Sequence, residues 1–126
     1  MSNKERKIRI LKIEPKKLPY EKEISNNLSG IQKEVEGIFI CVYLDDNCIL
    51  VCNDEGKMNG MELNRRFGRD IIAGPFFIVG NSSDGEFKSL TDGQVEKYTA
   101  RFEEIQEFTG EEIEAKPWIV FLGFDL

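Results

Sequence analysis

Residues 7–13 set Lys7, Arg9 and Lys12 among Ile8, Ile10, Leu11 and Ile13, which predicts a first strand with one solvated face. Pro15-Lys16-Lys17-Leu18-Pro19 reads as a turn, and residues 20–24 as a short second strand able to pair with the first. Ser25, Asn26 and Asn27 then offer N-caps; Leu28, Ile31 and Val35 fall at helical spacing, and Gly37 stands where a helix would stop. Residues 38–44 and 48–52 are nearly continuous apolar runs around Asp45-Asp46-Asn47. That pattern predicts a hairpin buried on both faces near the centre of a sheet.

Residues 53–70 turn polar and glycine-rich, with Met61, Leu63 and Phe67 as apolar anchors and one helical turn expected at 62–66. Residues 71–80 return as a strand in which Gly74-Pro75 marks a bulge, bend or edge, because proline donates no ladder hydrogen bond. Thr91 with Gln94 makes a capping box for the longest helix, whose stripe of Val95, Tyr98, Phe102, Ile105 and Phe108 runs to near Gly110. Beyond Pro117, the run from Trp118 to Phe124 is apolar on both faces. It is expected to add a buried strand or, if it hangs off the domain, to join a second copy or a partner. The fold class expected is α+β: a single domain over residues 1–126, with a mixed or antiparallel sheet of about five to six strands packed against two helices.

Composition narrows the function. A chain of 126 residues, 40% hydrophobic and 32% charged, can bury one core and leaves no room for a second. It contains no histidine, which removes imidazole triads and the commonest general base and metal ligand. The net charge of −6 is polarised: residues 1–22 hold eight Lys/Arg against three Glu, and residues 84–126 four against eleven acids. Such acidity argues against nonspecific nucleic-acid binding. No signal-length or membrane-length apolar stretch follows the Met-Ser-Asn-Lys start, so a cytoplasmic protein with no membrane role is expected. Cys41, Cys48 and Cys52 read as reduced core residues, although a two-residue turn at Asp46-Asn47 would set Cys41 opposite Cys52 as a redox pair. Neither a metal site nor a cofactor is expected, since the sequence has no phosphate-binding glycine loop, dinucleotide fingerprint or zinc knuckle.

Candidate chemistry concentrates in residues 53–80. Lys57, Arg65, Arg66 and Arg69 lie within thirteen positions, alongside Asn53 and Asn64. Guanidinium forks match phosphate or carboxylate, and asparagine can read a base or amide edge, so these six residues are the candidate site for an anionic, nucleotide-like ligand. They can equally be solvated residues balancing Asp54, Glu55, Glu62 and Asp70. Asp54 with Glu55, or Lys57 and Tyr98, are formally capable of acid-base work, but no spacing selects a reaction and catalysis is not expected.

Three segments also carry a resemblance: V-Y-L-D-D leading into C-N-D-E-G-K, then M-N-G-M-E-L-N-R, then D-I-I-A-G-P-F-F-I-V-G, with I-R-I-L-K-I-E-P and Y-E-K-E-I before them. Together they resemble the family numbered three-eight-four-six among the domains of unknown function, found in phages, plasmids and gut-type Gram-positive bacteria. The resemblance covers residues 7–80 and implies no activity. It implies a small accessory protein of mobile elements that binds something in its host, with counter-defence the expected role. Two hypotheses follow. In one, the six residues above sequester an anionic small molecule. In the other, the acidic residues Glu96, Glu103, Glu104, Glu107, Glu111, Glu112 and Glu114 dock on the basic surface of a host defence protein or nuclease.

Overall fold

The computed structural model describes residues 5–109 and 111–112. In chain order the elements are β1 (Lys7–Ile13), β2 (Tyr20–Ser25), α1 (Leu28–Val35), β3 (Phe39–Tyr43), β4 (Cys48–Asn53), β5 (Leu63–Phe67), β6 (Asp70–Ala73), β7 (Phe76–Asn81), β8 (Phe87–Lys88) and α2 (Asp92–Phe102). The main sheet is antiparallel throughout, in the order β2-β1-β7-β4-β3 with β8 beside β7, while β5 and β6 form a separate two-stranded ribbon. The architecture is the α+β fold expected, with two helices and six strands in the main sheet among the described residues.

Each face of the sheet carries its own core. On one, α1 lays Ile31 and Val35 over Ile8, Ile10, Ile49, Val51, Phe77 and Val79. On the other, α2 sets Val95, Tyr98 and Phe102 over Leu11, Ile13, Leu50, Cys52, Phe76 and Ile78, joined by Phe67 and Ile72 of the ribbon. Phe76 and Phe102 meet edge to face at 5.3 Å. Apolar cover on both sides explains the continuous runs in β4 and β7, each buried side chain contributing about 1.5–3 kcal/mol. The same cover removes the solvated face expected of β1: Lys12 is 6% exposed and lies on the α1 side, where it needs a counter-charge.

Both helices begin on a side-chain cap. Asn27 accepts from the Gly30 N–H at 2.8 Å. At α2, the Thr91 hydroxyl accepts from the Gln94 N–H at 3.1 Å while Gln94 Oε1 accepts from the Thr91 N–H at 2.9 Å, so the capping box forms as expected. Thr91→Ala is expected to cost about 1 kcal/mol, a drop of roughly 3–5 °C in Tm by calorimetry. An unchanged Tm would mean that the box contributes nothing to stability.

Four expectations are corrected. The Leu44 N–H donates to Cys48 O at 2.9 Å, so Asp45-Asp46-Asn47 is a three-residue loop, with Asp46 and Asn47 in the left-handed region. The extra residue slips the register by one, pairing Ile40 with Cys52 and Cys41 with Val51, and sends Cys41 and Cys52 to opposite faces. All three cysteines are free, and burial pushes the thiols of Cys41 and Cys48 up to about 11. Residues 62–66 contain no helical turn; 63–66 belong to β5, whose buried positions Asn64, Arg65 and Phe67 do not alternate because the register shifts between Leu63 and Arg65, and two of the three are polar. Residues 71–80 are two strands of different sheets. Gly74, at φ +84°, makes the break, and a Cβ there would meet Met61 at 2.9 Å. Finally, α2 stops at Phe102, short of Gly110, leaving Ile105 41% exposed. The run from Trp118 to Phe124 lies outside the described residues.

Candidate functional site

Asn53 closes β4 and turns its side chain to the end of α1. Its Nδ2 donates to Val35 O at 3.0 Å and Glu36 O at 3.3 Å, and its Oδ1 accepts from the Glu55 N–H at 2.7 Å. It thereby satisfies carbonyls that the last helical turn leaves without partners. Lys57 is 7% exposed and pairs with Asp70 at 2.5 Å. Asn64 is fully buried, donating to Ile13 O at 3.0 Å and Gly74 O at 2.9 Å, and so ties the ribbon to the sheet.

Arg65 is fully buried as well. Its Nε donates to Phe102 O at 2.9 Å, Nη2 to Lys17 O at 2.6 Å, and Nη1 to Asn64 Oδ1 at 2.9 Å and Asn64 O at 3.3 Å. Burial lowers its pKa, yet a guanidinium stays charged at neutral pH. All of these acceptors are neutral oxygens, and Phe102 O ends α2, where the helix dipole favours a cation. This contact helps to end α2 at Phe102, and the acidic Glu103-Glu104 pair that follows disfavours a further turn. Past that point the chain runs along β5: the Arg66 N–H donates to Gln106 Oε1 at 3.0 Å, and the Arg66 guanidinium sits 5.4 Å from the centre of the Phe108 ring.

The six candidate ligand residues are therefore not brought to one cavity. Asn53, Lys57, Asn64 and Arg65 face inward and bind groups of their own chain, whereas Arg66 and Arg69 are exposed. A cleft of about 310 Å³ beside them is lined by Lys12, Glu14, Glu36, Met61, Glu62 and Pro75 among others. Its carboxylates suit it poorly to an anion. Tyr98 is not poised for acid-base work either, because its hydroxyl donates to Asp45 and burial first, with that bond, drives its pKa far up.

One buried constellation escaped the sequence reading. Glu34 is 4% exposed and accepts from Lys12 at 2.7 Å and from Lys22 at 2.9 and 3.1 Å, fastening α1 to β1 and β2. Its signal was positional: Ile31, Glu34 and Val35 share the buried stripe of α1, so a carboxylate on that stripe demands a buried cation. Nearby, Glu14 accepts from the Tyr20 hydroxyl, and burial followed by this bond pushes Tyr20 up to about 12.

The acidic candidates are arranged differently. Glu96, Glu103, Glu104, Glu107 and Glu111 are all exposed, and none forms an ion pair among the described residues. Glu112 is also exposed and accepts from the Thr109 N–H at 2.8 Å, while Glu114 lies outside the described residues. The cations of α2 are engaged elsewhere: Lys97 pairs with Asp45 at 3.3 Å, and Arg101 lies over Phe67 at 5.0 Å.

The model of a family described as Domain of unknown function (DUF3846) matches residues 8–103. The chain belongs to this family. The DUF3846 match runs from β1 through α2, so the helix is part of the family domain and does not lie beyond it, as the motifs ending at residue 80 implied. The acidic segment straddles the end of the DUF3846 match, with Glu96 and Glu103 inside it and Glu104, Glu107 and Glu111 past it. No curated protein and no solved structure matches the chain. Among the described residues of this DUF3846 protein, no helix is long and apolar enough to cross a membrane, and no three His, Cys, Asp or Glu side chains are grouped to hold a metal ion.

Proposed function

We propose that the chain is an interaction protein that docks through the exposed carboxylates of α2 and the segment after it on a basic surface of a protein partner. The observation that supports this reading is the contrast in charge engagement: Lys57 and Arg65 are turned inward, while Glu96, Glu103, Glu104, Glu107 and Glu111 are exposed and form no ion pair among the described residues. Unpaired surface charges of one sign accelerate encounter with a surface of the opposite sign and select against acidic partners. The chemistry that fits is a channel built to hold a polyanion, such as the nucleic-acid cleft of a host nuclease, in keeping with a counter-defence role on a mobile element. A small anion held at Arg66 and Arg69 is the second reading, favoured by the exposure of those two residues alone.

The test is to cross-link the full chain to its partners in its own host and compare it with the Glu103→Lys, Glu104→Lys, Glu107→Lys triple variant. The triple variant is expected to keep the wild-type Tm within about 2 °C, because these are surface positions. It is expected to lose the cross-linked basic partner, and the wild-type complex is expected to weaken steeply with salt. A partner that binds the triple variant as well as wild type would overturn the reading.

A further inference from the structure

β3 ends the sheet order, and among the described residues it pairs on one side only, with β4. Leu44 donates to Cys48 O at 2.9 Å and Asp54 donates to Ile38 O at 2.8 Å, which fixes the phase of that ladder. The even-numbered residues of β3 therefore turn their backbone groups to β4, and Phe39, Cys41 and Tyr43 turn theirs outward.

Free edges are ordinarily blunted by Lys, Pro or a bulge. The opposite edge of this sheet follows that rule, since Glu21, Lys22 and Glu23 of β2 are exposed. The β3 edge does not. Residues 38–44 read Ile-Phe-Ile-Cys-Val-Tyr-Leu, without charge or proline, and the pairing with β4 has no bulge. Ile38 and Tyr43 are 65% and 64% exposed, and Phe39, Ile40, Cys41 and Leu44 are only half-buried against the two cores.

We propose that β3 pairs antiparallel with β3 of a second copy, about a twofold axis at Cys41, joining two sheets into one. The choice of a second copy comes from self-complementarity. The outward backbone groups at positions 39, 41 and 43 are symmetric about Cys41, so each donor of one copy meets an acceptor of the other. The same register sets Phe39 opposite Tyr43 on both sides of the axis, an aromatic cross-strand pair. In a chain of net charge −6, this uncharged edge also lets two copies meet without opposing like charges.

Sedimentation equilibrium of the full chain over a concentration series tests the pairing, with a limit at twice the 14.5 kDa chain mass expected. Cys41→Lys sets two ammonium groups face to face and is expected to weaken the dimer roughly tenfold or more, with an unchanged far-UV circular dichroism spectrum. Oxidation with diamide, in which two thiols pass two electrons and two protons to the reagent and form one S–S bond, is expected to lock the dimer covalently. Directly opposed residues of such a ladder lie about 5.5 Å apart at Cα, within disulfide reach. Cys41→Ser is expected to abolish that cross-link, and it supplies the answer if Cys41→Lys does not fold. A chain monomeric at every concentration overturns the proposal. So does a dimer that tolerates Cys41→Lys and forms no cross-link through Cys41.

Discussion

Replacing Arg65 with methionine is expected to lower stability by about 3–5 kcal/mol and the Tm by roughly 10–20 °C. Methionine keeps most of the aliphatic volume and supplies no donor. The carbonyls of Phe102 and Lys17 and the Asn64 amide oxygen would then remain buried without the guanidinium that binds them. Each such group costs about 1–3 kcal/mol when left unpaired, and their losses overlap because one side chain serves all three. Arg65→Lys keeps the charge and loses the fork, so it is expected to recover only part of the loss. Thermal melting by circular dichroism decides the matter. A methionine variant with the wild-type Tm would release Arg65 from the fold and return it to the anion-site reading.

The second large effect is expected at Glu34. Glu34→Gln leaves Lys12 buried without a counter-charge and is expected to cost about 3 kcal/mol or more. Pairing Glu34→Leu with Lys12→Met removes both buried charges and is expected to restore stability to within about 1 kcal/mol of wild type, because apolar replacements of a buried pair are often neutral or better. A double variant as unstable as Glu34→Gln would mean that Lys22 or the shape of the site, and not the buried charge, sets the cost.

The pH dependence of the same group has a definite sign. Burial raises the Glu34 pKa, but the hydrogen bonds from Lys12 and Lys22 and their charges outweigh it, so the folded-state pKa lies below the ordinary 4.5. A lowered folded pKa means that the unfolded chain takes up the proton first. The stabilisation is therefore complete above the unfolded-state pKa and is lost as pH falls through the folded value. Glu14, Asp45 and Asp84 are held low as well, and they add to the acid slope. The difference between wild-type and Glu34→Gln urea melts is thus the informative quantity. It is expected to be constant from pH 7 to about 5 and to shrink below that.

These two predictions concern residues that the sequence presents very differently. Arg65 and Asn64 stand in a polar stretch that reads as an anion loop, because cations and amides near glycines are the chemistry of such loops. Once the ribbon packs against α2, the same donors face the carbonyl ends of α2, β1 and the Lys17 turn. Of the acidic set, Glu96 lies within α2 and is exposed there, whereas Glu103, Glu104, Glu107 and Glu111 follow the helix end, so their exposure does not come from a helical stripe.

The sequence by itself determined the elements whose periodicity and caps are local: β1 from its aliphatic run, α1 between its asparagine caps and the stop at Gly37, the Thr91–Gln94 box, and the doubly buried β4. It also determined that imidazole chemistry is absent. Only the tertiary structure decided the register of β3 on β4, the break of residues 71–80 into two sheets, the end of α2 and the inward turn of Asn53, Lys57, Asn64 and Arg65. The physical reason is range. A cap or an apolar stripe is read within a few residues, whereas the donor that meets Phe102 O at the end of α2 comes from Arg65, 37 positions earlier in the chain, and the charge that accommodates Lys12 comes from Glu34, 22 positions later.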